Sequence, residues 1–229
     1  MRYLFAVLAC LAGACGSGER GLTQPSPQVV VVHDTLNPPD NRASRDLVHS
    51  YEHPYTFPYY EGRAYDDFTS AVTTTIRTVS WQGGYCGGPV VLPIGTPQPP
   101  PVAVASSFEV AFYRDDTNGR PAWYSTPLYD VTFTPADAHE QFTFDSGSSG
   151  NRCTVYPPTA TYYDYTAVLP TPFPVTAGTR YWLLVRAIPR VTGIAWGWRL
   201  GQQDNKYAAS WGQSLDTGPF DLAFRLSDQ

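Results

Sequence analysis

Arg180-Tyr181-Trp182-Leu183-Leu184-Val185-Arg186-Ala187-Ile188 alternates two largely apolar sets, Tyr181, Leu183, Val185 and Ala187 on one face and Trp182, Leu184, Arg186 and Ile188 on the other. A period of two is the period of a strand, and apolar side chains on both faces mark a strand covered from both sides. Trp182 is therefore expected to be packing. Working outward, Phe68 to Trp81 is rich in Thr and β-branched residues and ends at Gly83-Gly84, and Ser107 to Arg114 sets Phe108, Val110 and Phe112 on one face. Trp123 to Phe133, Glu140 to Phe144, Thr161 to Leu169, Ala195 to Leu200, Tyr207 to Trp211 and Asp221 to Leu226 read the same way, separated by Pro, Gly, Asn and Asp turns. No window longer than a turn or two carries a helical period. About eight or nine strands at this spacing predict an all-β domain, two antiparallel sheets packed as a sandwich of jelly-roll type.

Composition agrees. Charged residues are 15% and aromatics 14% of the 229 residues, with Thr, Val, Tyr, Gly and Pro abundant, a balance that favours pleated strands over helices with charged outer faces. The net charge of -5 supplies no basic field for phosphates, and nucleic acid is excluded as a partner. Met1 to Cys15 has one charged residue, Arg2, before the apolar run Leu4 to Leu11 and then Ala12-Gly13-Ala14. That order is the order of an export signal, and the run is too short for the roughly 20 residues of a spanning helix. The small residues ending at Cys15, followed by Gly16-Ser17-Gly18, resemble a bacterial lipobox, which implies cleavage before Cys15 and its lipidation; Cys10 is the competing site. Gly16 after that cysteine suits sorting to an outer membrane. Residues 1–15 are thus read as signal and anchor, 16–61 as a Pro/Gly-rich tether with Val29 to Val32 as a short edge strand, and 62–229 as the domain.

Two insertions break the strand rhythm, Gly87 to Pro101 and Asp145 to Pro158, and each brings a cysteine, Cys86 and Cys153. In an exported chain an isolated pair reads as a disulfide, which would pin both insertions to one rim where binding is expected. Further motifs, Tyr65-Asp66-Asp67-Phe68, Phe108 to Asp115, Ala177-Gly178-Thr179-Arg180-Tyr181-Trp182-Leu183, Trp196-Gly197-Trp198 and Asp221 to Leu226, resemble a largely uncharacterised class of bacterial extracellular β-sandwich modules over about Ala64 to Leu226. The resemblance implies a jelly-roll domain outside the cytoplasm and no settled activity.

Catalysis has little material to work with. Three of four histidines, His33, His49 and His53, fall in the tether and only His139 in the domain, and no HExxH, GxSxG or phosphate loop occurs. Acidic pairs drawn from Glu109, Asp115, Asp116, Glu140 and Asp164 are the weak alternative. The chain is therefore read as no enzyme. Aromatics are the better sign, because an exposed ring takes the apolar face of a sugar: Trp211, Trp198, Trp196, Tyr85 and Tyr207 are the candidate ligand-binding residues, with core packing as the competing role. No cofactor is expected, apart from a structural Ca²⁺ at Asp66, Asp67 and Asp221, whose carboxylates could converge where terminal strands meet. Asp115-Asp116-Thr117-Asn118-Gly119-Arg120 is oxygen-rich but fits a turn. The expected function is a lipid-anchored, surface-exposed, non-catalytic module binding an extracellular carbohydrate; the alternative is a structural or protein-interaction module of the envelope.

Overall fold

The computed structural model describes residues 29–36, 47–49, 62–86, 105–116, 118–146, 160–189, 195–202, 208–211, 215–218 and 221–229. Their strands are β1 Val31–Asp34, β2 Leu47–His49, β3 Arg63–Thr69, β4 Thr74–Cys86, β5 Ala105–Arg114, β6 Tyr129–Phe133, β7 Gln141–Ser146, β8 Ala160–Val175, β9 Arg180–Pro189, β10 Ala195–Arg199, β11 Ala208–Trp211, β12 Leu215–Gly218 and β13 Phe224–Ser227. They form two antiparallel sheets packed face to face. In the first sheet, β4 has β8 along one side and β7 beyond it; its other side is shared by β13, over Thr78–Trp81, and β10, over Gly83–Cys86. β1 lies outside β13, and β2 outside β10. The second sheet runs β12-β11-β3-β9-β5-β6.

The double-faced reading of Arg180 to Ile188 holds. β9 pairs with β3 and β5, Leu183 and Val185 enter the core between the sheets, and Trp182 and Leu184 enter a second cluster on the outer face with Tyr65, Ala111 and Tyr113. Trp123, from the connection between β5 and β6, lies against that second cluster and helps cover it. Between the sheets the core is aromatic: Trp81 stacks on Tyr165 at 5.1 Å, Phe112 on Phe173 at 4.4 Å, and Phe68 on Tyr181 at 5.6 Å. Such pairs add about 0.5–1.5 kcal/mol each beyond the area they bury.

Several boundaries differ from the sequence reading. Phe68 to Trp81 is not one strand, because Ser70-Ala71-Val72-Thr73 turns the chain between the sheets, with the Ser70 hydroxyl donating to the Val72 carbonyl at 2.6 Å. Gly83-Gly84 does not end β4, which continues to Cys86. A bulge between Ile76 and Thr78 shifts the parity of β4, so Ile76 faces inward and so do Val79 and Trp81. Within the region read as tether, β1 and β2 are strands of the first sheet. His33 of β1 stacks on Phe224 at 4.4 Å, and Thr35 joins the C-terminal segment by donating its hydroxyl to Leu222 O at 2.6 Å. Residues 1–28, Cys15 among them, and 37–46 and 50–61 lie outside the described residues.

Candidate functional site

Register collects the bases of three connections, two of them long, at one end of the sandwich. Cys86 pairs with Ala160 and Ala195, Ser146 pairs with Ala160, and Ala105 pairs with Pro189. The chain thus leaves this rim after residues 86, 146 and 189 and returns to it at 105, 160 and 195. The two sheets are tied there by Tyr85, whose hydroxyl accepts the Ala105 N–H at 3.4 Å and donates to Glu140 Oε2 at 2.9 Å.

Beneath the rim, Trp196 Nε1 donates to the Tyr165 hydroxyl at 3.2 Å, and Tyr165 also bonds Glu140. Burial raises the Glu140 carboxyl, and the two hydroxyls partly offset that rise. Burial, followed by the Glu140 charge, pushes the Tyr85 phenol far above its ordinary range. His139, next to Glu140, has φ of 43°. Its conformation has a local cause. Glu140 N–H bonds Pro135 O at 3.1 Å and His139 N–H bonds Ala136 O at 3.1 Å, the crossed pair that closes a helical turn with a left-handed residue, and Thr134 and Asp137 bond each other at the start of that turn.

The other acidic candidates have structural partners. Glu109 takes Arg186 Nε at 2.7 Å and its Nη2 as well, on the outer face of the second sheet. Asp115 accepts Trp182 Nε1 at 2.7 Å, which anchors the connection between β5 and β6 to β9. Asp116 accepts the N–H groups of Asn118 and Arg120 at 2.7 and 2.9 Å, and Gly119 has φ of 71°, so Asp115 to Arg120 is a turn. Asp164 lies opposite Gln82 in the ladder and within the field of Arg199.

The aromatic strip is corrected. Tyr85, Trp196 and Trp198 are 4%, 1% and 0% exposed and belong to the core between the sheets, as does Trp81. Trp196 and Trp198 do share a strand face, as their spacing requires, but that face is the inner one. Trp211 is placed by its backbone opposite Arg63 in β3, its side chain outside the described residues; Tyr207 and Cys153 lie outside them altogether, as does the Cys86 side chain.

Asp66, Asp67 and Asp221 are all buried, and Asp66 lies within the fields of the other two. The Asp66 carboxylate acts as a backbone acceptor and that of Asp67 as an ion-pair partner. Asp66 Oδ2 takes the Leu222 N–H at 2.6 Å and Oδ1 the Asp67 N–H at 3.0 Å, which bolts β3 to the segment before β13, while Asp67 is 3.6 Å from Arg180 Nε. Among the described residues no three His, Cys, Asp or Glu stand together as a metal-holding group. Burial, then the charges of Asp221 and Asp67, raise the Asp66 carboxyl well above its ordinary range, against the lowering of the Leu222 bond.

Sequence reasoning passes over Tyr124, 69% exposed, in the run Pro121-Ala122-Trp123-Tyr124-Ser125-Thr126-Pro127-Leu128-Tyr129. The alternation there suggests a strand from Trp123; the strand begins only at Tyr129. The turn is tightly held: Ala122 N–H to Arg114 O at 3.0 Å, Ser125 N–H to Ala122 O at 3.0 Å, and Leu128 N–H to Phe112 O at 2.8 Å. The Trp123 and Tyr124 rings meet edge to face, 5.9 Å between centroids at 81°. The signal that could have found it is a stretch of nine residues without a charge, bounded by Arg120 and Asp130.

Residues 38–226 match the family described as a domain of unknown function (DUF7901). No curated protein matches the chain.

Proposed function

We propose, for a chain that belongs to the DUF7901 family, that it is an exported, lipid-anchored and non-catalytic binding module of the cell envelope, a jelly-roll sandwich whose ligand is an extracellular carbohydrate. The observation that carries this reading is the gathering of two long connections, 87–104 and 147–159, and the short one at 190–194 at one end of the sandwich, the arrangement by which loops acquire binding roles. The absence of catalysis is supported by the acidic candidates Glu109, Asp115, Asp116 and Glu140, each bonded to a structural partner. Cys15 is the proposed anchor, and of the 16–61 region read as tether the part before Val30, which bonds Asp228, is the proposed spacer. A Cys86 to Cys153 disulfide is proposed because the Cys86 backbone stands at the base of the connection that holds Cys153.

A second reading, an envelope module that contacts proteins, is favoured by the burial of Trp196, Trp198 and Tyr85, which withdraws them as a sugar platform. Co-sedimentation of the full chain with insoluble cell-wall polysaccharides, scored together with release of reducing ends, separates these. Retention without release supports the proposal. Release of reducing ends contradicts the non-catalytic part, and failure to sediment with any polysaccharide favours the protein-contacting reading.

A further inference from the structure

We propose that Trp123 and Tyr124, in the turn between β5 and β6, form a stacking ledge for a neutral saccharide chain; this rests on the reading of the protein as a carbohydrate-binding module and adds a contact surface at the Arg114 end of β5, opposite the rim at Ala105. Tyr124 is the most exposed of the large hydrophobic side chains described, 69% against 62% for Val168 and 53% for Phe142. Its position is fixed rather than trailing, because the turn is bonded to Arg114 O and Phe112 O of β5 on either side of it. Trp123 is itself half-buried against the Tyr65, Tyr113 and Trp182 cluster, so the exposed ring stands on a packed base. Two rings at 81° offer a floor and a wall, a shape suited to the flat C–H face and hydroxyl edge of a pyranose.

The chemistry of the turn selects the class of ligand. Pro121 to Tyr129 presents exposed hydroxyl residues at Tyr124 and Thr126, while the Ser125 hydroxyl donates to Ala122 O at 2.7 Å and Tyr129 packs on Phe112 and Phe173, and the run holds not one ionisable carboxylate, amine or guanidinium. A polyanion would find no cation within this run, and ring stacking with hydroxyl partners is what a neutral sugar uses. Preorganisation helps further, since little freedom remains to be lost when the ring is covered.

The test is calorimetric titration of the full chain with cellohexaose, mannohexaose and laminarihexaose, with polygalacturonate as the anionic comparator, in the natural sequence and in Tyr124→Ala and Tyr124→Phe. The expected result is saturable binding of at least one neutral hexasaccharide, weakened about tenfold or more by Tyr124→Ala, a loss of the size a stacked ring contributes, and retained by Tyr124→Phe, with the thermal midpoint unchanged in both variants. Equal binding by Tyr124→Ala overturns the ledge and leaves the module reading standing. Binding of polygalacturonate alone overturns the neutral class, and no binding of any of the four overturns the ledge together with the reading beneath it.

Discussion

The indole of Trp196 fills the space that any side chain at position 83 would need: a Cβ on Gly83 would lie 2.2 Å from Trp196 Cζ2 and 2.9 Å from Gly197 O. β4 and β10 are paired here, Trp196 opposite Tyr85 and Trp198 opposite Gly83. Gly83 thus permits an indole to cross the inner face of its strand rather than ending the strand. Gly83→Ala is predicted to cost roughly 2–3 kcal/mol by overpacking, measured by denaturant unfolding. Adding Trp196→Leu should recover part of that loss, since the two positions compete for one volume.

This pair also shows how far the sequence can be read. Alternation in Trp196-Gly197-Trp198 establishes that both indoles share a face, but which face is inner depends on pairing with β4, which no local pattern encodes. In Arg180 to Ile188 that ambiguity does not arise, because both faces are apolar and both are buried. The turn at Asp115 to Arg120 is legible from its own residues. β1 is legible in part, since the edge strand read at Val29 to Val32 overlaps it at Val31 and Val32 while the strand runs on to Asp34; β2, three residues long, is revealed only by its partner β10.

The pairing of β1 makes stability depend on where the chain is truncated. Thr35 N–H bonds Phe224 O at 2.8 Å, Gln202 N–H bonds Thr35 O at 2.9 Å, and Arg225 makes two bonds to Asp34. A chain beginning at Val29 should therefore unfold cooperatively at a clearly higher temperature than one beginning at Gly62, which lacks both strands. Equal midpoints by circular dichroism would show that β1 and β2 contribute nothing to the sandwich.

His139 occupies a left-handed position that costs a residue with a Cβ about 1–2 kcal/mol. Glycine relieves that cost but gives back about 0.4–1 kcal/mol through the freer unfolded chain. His139→Gly is accordingly predicted to stabilise the protein by about 0.5–1 kcal/mol, whereas His139→Ala gives no gain. A destabilised glycine variant in thermal unfolding would mean that the imidazole has a role the turn does not account for.

Asp66 sets a pH dependence. A carboxyl whose folded pKa lies above its unfolded value binds more protons in the native state, so stability is greatest below the ordinary value of 3.8 and falls as pH rises from there toward the raised value. Glu140 and Asp130, both raised chiefly by burial, act with the same sign. Denaturant midpoints should decline from about pH 4 upward, and Asp66→Asn should flatten that decline in part. The variant also loses one of the two acceptors for Leu222 and Asp67, so its midpoint at low pH should lie below that of the natural sequence. An unchanged slope would remove Asp66 as a source of the effect.

Trp81, Trp182, Trp196 and Trp198 are core residues of the sandwich, and the proposed ligand contact lies instead at the turn of Trp123 and Tyr124. Acrylamide quenching of the Trp123→Phe, Trp211→Phe double variant examines that division of labour, because only those four indoles then emit. All four are buried, and the expected emission is blue and little quenched. Red-shifted, readily quenched emission would place at least one of these indoles on the surface and return the tryptophans to the list of ligand-binding residues.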